Sequence, residues 1–380
     1  MSLRPSRRGL VPPFIAMDVL RAANAREAAG ERVIHLEVGQ PGTPAPAAVL
    51  DAARAALGGE KIGYTDAEGI APLRAAIAGH YRAQYGLAVD PAEIAVTTGS
   101  SAAFQLAFLA AFEPGDRVAL AAPGYPAYRN ILSALGLETV LIEAGENAHY
   151  QPNPELLDRE DGLAGLIVAS PANPTGTMIA PAELERLYRY CRERGIRLVS
   201  DEIYHGITYG TAAQSARAFG QDAIVVNSFS KYYSMTGWRL GWMLAPPDLA
   251  RSVECLAQNF YISPPALSQL AAVAAFDCRE ELDGHVARYR ANRDLLTAAF
   301  AKAGLTRLAP AEGAFYLYVD VSSRTGDSGE FCRRMLAEIG VAATPGADFD
   351  PIHGNSWVRF SFAGSTGDIE EAARRLAGWL

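Results

Sequence analysis

Between residues 94 and 246, short β-branched runs alternate with helical patterns, and no other feature constrains the fold of this chain so tightly. IAVTTGS (94–100), RVALAAP (117–123), GLIVAS (165–170), IRLVSDEIY (196–204), DAIVVNSFS (222–230) and LGWMLAP (240–246) read as strands. SAAFQLAFLAAF follows the first of them as an apolar helix. PAELERLYRYCRERG reads as a helix that opens on proline and stops at glycine. Strands that are apolar on both faces have to be covered on both. The pattern therefore predicts an α/β fold, a mainly parallel sheet between two helical layers.

From about residue 284 the texture changes. HVARYRANRDLLTAAFAKAG is a long amphipathic helix, GAFYLYVDV and SWVRFSFA read as strands, and FCRRMLAEIG is a helix between them. This α+β pattern predicts a second, smaller domain, and a chain of 380 residues has room for both. The expected division is an N-terminal arm (1–45), a large domain (46–283) and a small C-terminal domain (284–380). The helix in PPFIAMDVLRAANAREAAG is expected to return and pack on the small domain.

Charge and composition narrow the partners. The net charge is −8 and no basic block follows MSLRPSRRG, so a nucleic-acid partner is not expected. That start runs into VPPFIAMDVL rather than a long apolar stretch with a cleavage site, so no signal peptide is read. No uncharged apolar run approaches the roughly 18 residues of a membrane-spanning helix, so no membrane partner is expected. Cys191, Cys255, Cys278 and Cys332 are scattered, with no CxxC spacing and no adjacent histidine. Reduced thiols in a cytoplasm, with no metal site, are the expectation.

Ligands of open parallel sheets gather where strands end, and the unusual residues cluster there. Thr98-Gly99-Ser100-Ser101 leads into a helix and reads either as a simple cap or as a phosphate cup of hydroxyls and free amides. Tyr125 is a flat-ring stacking candidate or a half-buried aromatic, and Asn173-Pro174-Thr175-Gly176 is a β-turn or a ligand-facing asparagine. Asp201 ends an apolar strand and needs a cationic or N–H partner. In NSFSKYYSMTGWRLGW, Lys231 and Arg239 stand alone among small and aromatic residues. An amine kept from water can attack an aldehyde to form a Schiff base, and a guanidinium can grip a phosphate.

Read in order, Gly99-Ser100-Ser101, Tyr125, Asn173-Pro174-Thr175-Gly176, Asp201 to Tyr204, Ser228-Phe229-Ser230-Lys231 and Arg239 make the chain resemble the class I/II aminotransferases, pyridoxal-phosphate enzymes of fold type I. The likeness runs from Gly39-Gln40-Pro41 to Arg359; its most specific parts are SxxK followed by GWRLGW, and the ASPANPTG and SDEIY segments. The resemblance implies that Lys231 holds pyridoxal 5'-phosphate as an internal aldimine and shuttles the proton at the substrate Cα. Asp201 would pair with the ring nitrogen, Tyr204 and Asn173 with the ring's phenolic oxygen, and Tyr125 would stack on its face. Ser100, Ser101, Ser228 and Arg239 would bind the phosphate, with Tyr64 reaching it from the other subunit of a homodimer. In WVRFS, Arg359 would clamp the substrate α-carboxylate, together with the Gly39 amide.

The implied reaction moves an amino group from an α-amino acid to a 2-oxo acid in two half-reactions. A β- or γ-eliminating C–S lyase on the same scaffold is the alternative, since it needs the same lysine, aspartate and arginine. A ligand-sensing regulator of this fold would need an added DNA-binding segment, for which the sequence offers no basic patch. Some aspartate-specific relatives meet an acidic side chain with a second cation near the phosphate cup. Ser101 stands there in this chain, which turns the expectation from dicarboxylates toward neutral aliphatic or aromatic amino acids.

Overall fold

The computed structural model describes residues 3–59 and 61–380. Its strands, in chain order, are β1 (Ile34–His35), β2 (Ile94–Thr97), β3 (Arg117–Ala122), β4 (Glu138–Glu143), β5 (Leu163–Ala169), β6 (Arg197–Asp201), β7 (Ile224–Ser228), β8 (Gly241–Leu244), β9 (Tyr316–Asp320), β10 (Val341–Ala342), β11 (Thr344–Pro345) and β12 (Trp357–Ser361). The central sheet has seven strands in the order β2-β8-β7-β6-β5-β3-β4.

Strand alternation sorts the apolar residues onto two cores, one on each face of this sheet. Ile94, Val96, Leu166, Val168, Leu198, Val225, Trp242 and Leu244 pack on one side. Ala95, Ile167, Val199, Ile224, Val226 and Met243 pack on the other, against the apolar helix Ser100–Ala111. The helix Pro181–Arg194 begins on its proline and ends at Gly195, whose φ of 68° is a left-handed cap that favours glycine.

The sheet is parallel from β7 through β4, while β8 runs antiparallel to both its neighbours. The reason lies in the connection. Between Ser228 and Gly241 there is only a short 3-10 turn, Thr236–Trp238, and no helix to carry a parallel crossover. The chain doubles back instead, so Lys231 and Arg239 share one loop at one edge. The outer strand β4, ETVLIE, is absent from the strands read in the sequence. It lacks a continuous apolar run because only alternate residues are buried and both end glutamates face solvent.

The second sheet is antiparallel, β11-β12-β9, with Arg359 opposite Tyr318 on one side and Thr344 on the other. Its far face packs Val358, Phe360, Leu317 and Val319 against Leu296 and Phe300 of the helix Arg279–Lys302. That helix begins before residue 284. Glu280 and Glu281 favour its first turn, and Gly284, which interrupts the pattern, is carried inside it. The strand β1 pairs in parallel with β10, and Ala23 of the helix Ile15–Ala28 packs with Val33, Leu336 and Ala342. The arm thus lies on the C-terminal part of the chain. Among the described residues no helix is long and apolar enough to cross a membrane, and no cluster of His, Cys, Asp and Glu could hold a metal ion.

Candidate active site

Because β2, β3, β5, β6 and β7 all run in one direction, their C-terminal ends lie along one sheet edge. A cavity of about 450 Å³ opens there, closed from the opposite side by the arm and by β12. Ser100, Ser101, Tyr125, Asn173, Asp201, Tyr204, Lys231, Arg239, Gly39 and Arg359 all line it. A larger cleft of about 810 Å³, bordered by Tyr150, Arg307, Asp320 and Trp357, holds none of them.

Lys231 donates from Nζ to the Gly39 carbonyl at 2.6 Å, and Nζ lies 5.8 Å from the centre of the Tyr204 ring. Burial, together with the charges of Arg359 and Arg239, lowers its pKa from 10.5 to about 8, although Asp201 pulls the other way. Asp201 is 3% exposed at the end of β6. Its carboxylate accepts from the Tyr128 hydroxyl and from the Ile203 amide at 3.0 Å. Burial nevertheless raises its pKa to about 6. An amine and a carboxylate are thereby brought toward a common pH, a condition suited to proton handling.

Arg359 is 2% exposed on β12. It donates to Asn173 Oδ1 at 2.9 Å, to Thr344 Oγ1 at 3.2 Å and to the Glu37 carbonyl. Its guanidinium carbon sits 4.4 Å from the Tyr316 ring centre and 4.6 Å from that of Phe349. Its Nε has no partner among the described residues. Tyr204 shares a 2.6 Å hydrogen bond with Tyr316, and Gly39 leaves room for that hydroxyl, because a Cβ there would lie 2.0 Å from it.

At the other end, Gly99 (φ 80°) precedes the helix Ser100–Ala111, and no side chain caps that helix. Arg239 lies against it: a Cβ on Gly99 would come within 2.6 Å of Nη2. Arg239 has no carboxylate partner among the described residues; its one bond, at 3.1 Å, is to the Thr236 carbonyl. Free amides and an unneutralised guanidinium facing the same space are a cradle for a phosphate. With the deep carboxylate and the amine in one cavity with the two guanidiniums, the donor set fits pyridoxal phosphate.

Two residues sit elsewhere. The Ser228 hydroxyl donates to the Leu240 carbonyl at 3.3 Å and accepts from the Ser230 amide at 3.0 Å, inside its own loop. Ser230 lines the cavity in its place. Tyr64 is 82% exposed, outside the cavity of its own chain. His205 is buried against Tyr85 and the Ser170 carbonyl, behind the site. Tyr128, Tyr316 and Thr236 also line the cavity, and none of them stands out in the sequence. Tyr128 falls one helical turn after Tyr125, and Tyr316 alternates with Tyr318 along β9, so periodicity could have marked both.

The depressed lysine makes a direct expectation. In the cofactor-free protein, labelling of Lys231 by a small amine-reactive reagent, followed by mass spectrometry, should half-titrate near pH 8. A midpoint near 10.5, that of an ordinary lysine, would contradict the burial argument.

The profile of the family "Aminotransferase class I and II" matches residues 31–376. The chain is 52% identical to the valine–pyruvate aminotransferase of Mycobacterium tuberculosis, covering 100% of this chain and 99% of that one. The crystal structure of an aminotransferase from Mycobacterium tuberculosis superposes with a TM-score of 0.98 at 52% identity, over 100% of this chain and 99% of that one. The aspartate aminotransferase of Thermus thermophilus with maleate gives 0.93 at 32% identity, covering 100% of both chains. Transamination rather than elimination is what these relatives share, and with the profile spanning nearly the whole sequence the chain belongs to the class I and II aminotransferases, enzymes that use pyridoxal phosphate to pass an amino group from an α-amino acid to a 2-oxo acid.

Proposed function

We propose that this cavity transfers the amino group of a branched aliphatic amino acid, valine foremost, to pyruvate. The observation that carries the reading is that Lys231 shares one cavity with two guanidiniums, Arg239 at the helix end and Arg359 at the arm, and that both charges act on its amine. One clamp suits a phosphate and the other a carboxylate. The name of the 52% identical relative supports valine and pyruvate. So does the cavity wall, where Phe14, Met17, Leu20, Phe104 and Ile131 offer an acidic side chain no cation.

Bound here, pyridoxal phosphate supplies an aldehyde for the amino group and an electron-accepting ring. Arg359 holds the α-carboxylate with both nitrogens of its fork, beside the Gly39 amide. Lys231 takes the proton from the substrate Cα and returns it on the other side of the reaction. Asp201, oriented by Tyr128, would keep a proton on the ring nitrogen. Tyr204 would donate to the phenolic oxygen, and so would Asn173, whose Oδ1 is already engaged by Arg359. Tyr125 would cover the ring face. Ser100, Ser101, Ser230 and Arg239 would hold the phosphate, while Ser228 holds the loop.

We place the enzyme in the cytoplasm as a homodimer. All four cysteines are free. Tyr64 belongs with Ile62, Phe260 and Ile262 to an exposed apolar patch whose two loops are joined by the bond from Thr65 N to Ser263 Oγ, 3.2 Å. A second copy would cover this patch and carry Tyr64 to the partner's phosphate.

The test is a half-reaction. L-Valine added to the holoenzyme without acceptor should bleach the lysine-bound cofactor and release one equivalent of 2-oxo acid, and pyruvate should restore the spectrum. Release of ammonia with pyruvate from a β-substituted amino acid would instead support the lyase. A sedimentation mass of 40.5 kDa would remove the dimer.

A further inference from the structure

We propose that Asp348 is a positioning residue that holds the helix Ile15–Ala28 in place as the wall that selects the donor's side chain, a role that rests on the aminotransferase reading above. The first residue before that helix, Phe14, gives no side-chain cap. The cap comes from far along the chain. Asp348 Oδ1 accepts from the Ile15 amide at 3.2 Å, and Oδ2 accepts from the Ala16 amide at 3.1 Å. Two orphan donors of the first turn are thus satisfied by one carboxylate that is 1% exposed.

The loop that carries Asp348 also touches the rest of the site. The Asp348 carbonyl accepts from Arg129 at 2.5 Å, and the Phe349 carbonyl accepts from the Gly124 amide at 3.0 Å, next to Tyr125. The Phe349 ring covers Arg359. The helix position is therefore set by the same segment that backs the carboxylate clamp.

The helix presents Met17 and Leu20, one turn apart, to the cavity. Met17 is 49% exposed, an apolar side chain half open to solvent. Once Arg359 has fixed the α-carboxylate and Lys231 faces the Cα, an aliphatic side chain points to a wall formed by these two residues and by Phe104 and Ile131. A donor the size of alanine stops short of it. If the first turn loses its carboxylate, Ile15 and Ala16 are left with unpaired amides, the turn frays, and the wall retreats from a larger donor only.

The experiment compares Asp348→Ala and Asp348→Asn holoenzymes with the natural protein. Two quantities are read: kcat/KM of the first half-reaction for L-valine and for L-alanine, and hydrogen exchange of peptides spanning residues 14–20. The expected result is a valine-to-alanine ratio lowered about tenfold in Asp348→Ala, the scale for two methyl groups deprived of an apolar wall. Asp348→Asn, with one acceptor oxygen left, should fall between, and exchange should quicken in the same order. An unchanged ratio overturns the proposal whatever the exchange shows. A lowered ratio with unchanged exchange also overturns it, because the effect would not pass through the helix. If Asp348→Ala does not fold, Met17→Ala decides: its ratio falls if the helix is the wall and holds if it is not. Natural holoenzyme that converts neither amino acid would count against the aminotransferase reading itself.

Discussion

Replacing Lys231 by alanine should leave a folded protein that has lost the visible band of lysine-bound cofactor and roughly 10⁴-fold or more of its turnover. Two functions would disappear together, since in the proposed reading the same amine bonds the cofactor and moves the substrate proton. The environment is built for that amine. Burial, with the charges of Arg359 and Arg239, holds the pKa near 8, so an appreciable share is uncharged and nucleophilic around neutral pH. The loss should not come from instability, because Nζ makes a single bond, to the Gly39 carbonyl. Absorption and steady-state assays, with thermal melting as the control, provide the check. Normal turnover with the band retained would mean that another residue carries the chemistry.

Arg359→Ala should lower kcat/KM for every α-amino acid by about 10²- to 10³-fold, mainly through KM, consistent with the roughly 2–5 kcal/mol carried by a buried charged pair. Every substrate carries the α-carboxylate that the proposed reading gives to this arginine, so the ratio between valine and alanine should change little. This sets Arg359 apart from Asp348, whose removal should act on that ratio. Arg359→Lys should recover little, because the site fits a planar fork: rings on two sides and acceptors at Asn173, Thr344 and Glu37. Substrate kinetics across a series of donors would test it, and an unaltered KM would assign the carboxylate to another group.

The sheet and most of the site were legible in the sequence for a physical reason. Strands buried on both faces, such as β5, β6 and β7, carry short unbroken apolar runs (LIVA, LV and IVV), so polar residues at or just beyond their ends stand out: Asn173, Asp201 and Lys231 were all visible in this way. What was hidden depended on orientation or on partners distant in sequence. Ser228 and Ser230 are two residues apart in a loop, and only the folded path decides which one faces the cavity. The strand β4 mixes glutamates with apolar residues because it lies at an edge. Tyr316 looks like any core aromatic until Tyr204 and Arg359 are brought against it. The pair β1 and β10, two residues each, is too short for any periodicity to reveal.

That short pair has a consequence for how the molecule is made. The segment bearing Glu37 and Gly39 leaves the ribosome early, but its strand partner, Val341–Ala342, and the arginine it receives, Arg359, come near the end of synthesis. Until then the central sheet can assemble, while the early segment has only its contacts with the loop of Lys231 and Ser234 to dock on. Closing a loop between such distant segments is slow, so the residues proposed to cradle the phosphate are expected to come together before those proposed to grip the amino acid, and vitamin B6 to be captured ahead of any amino acid.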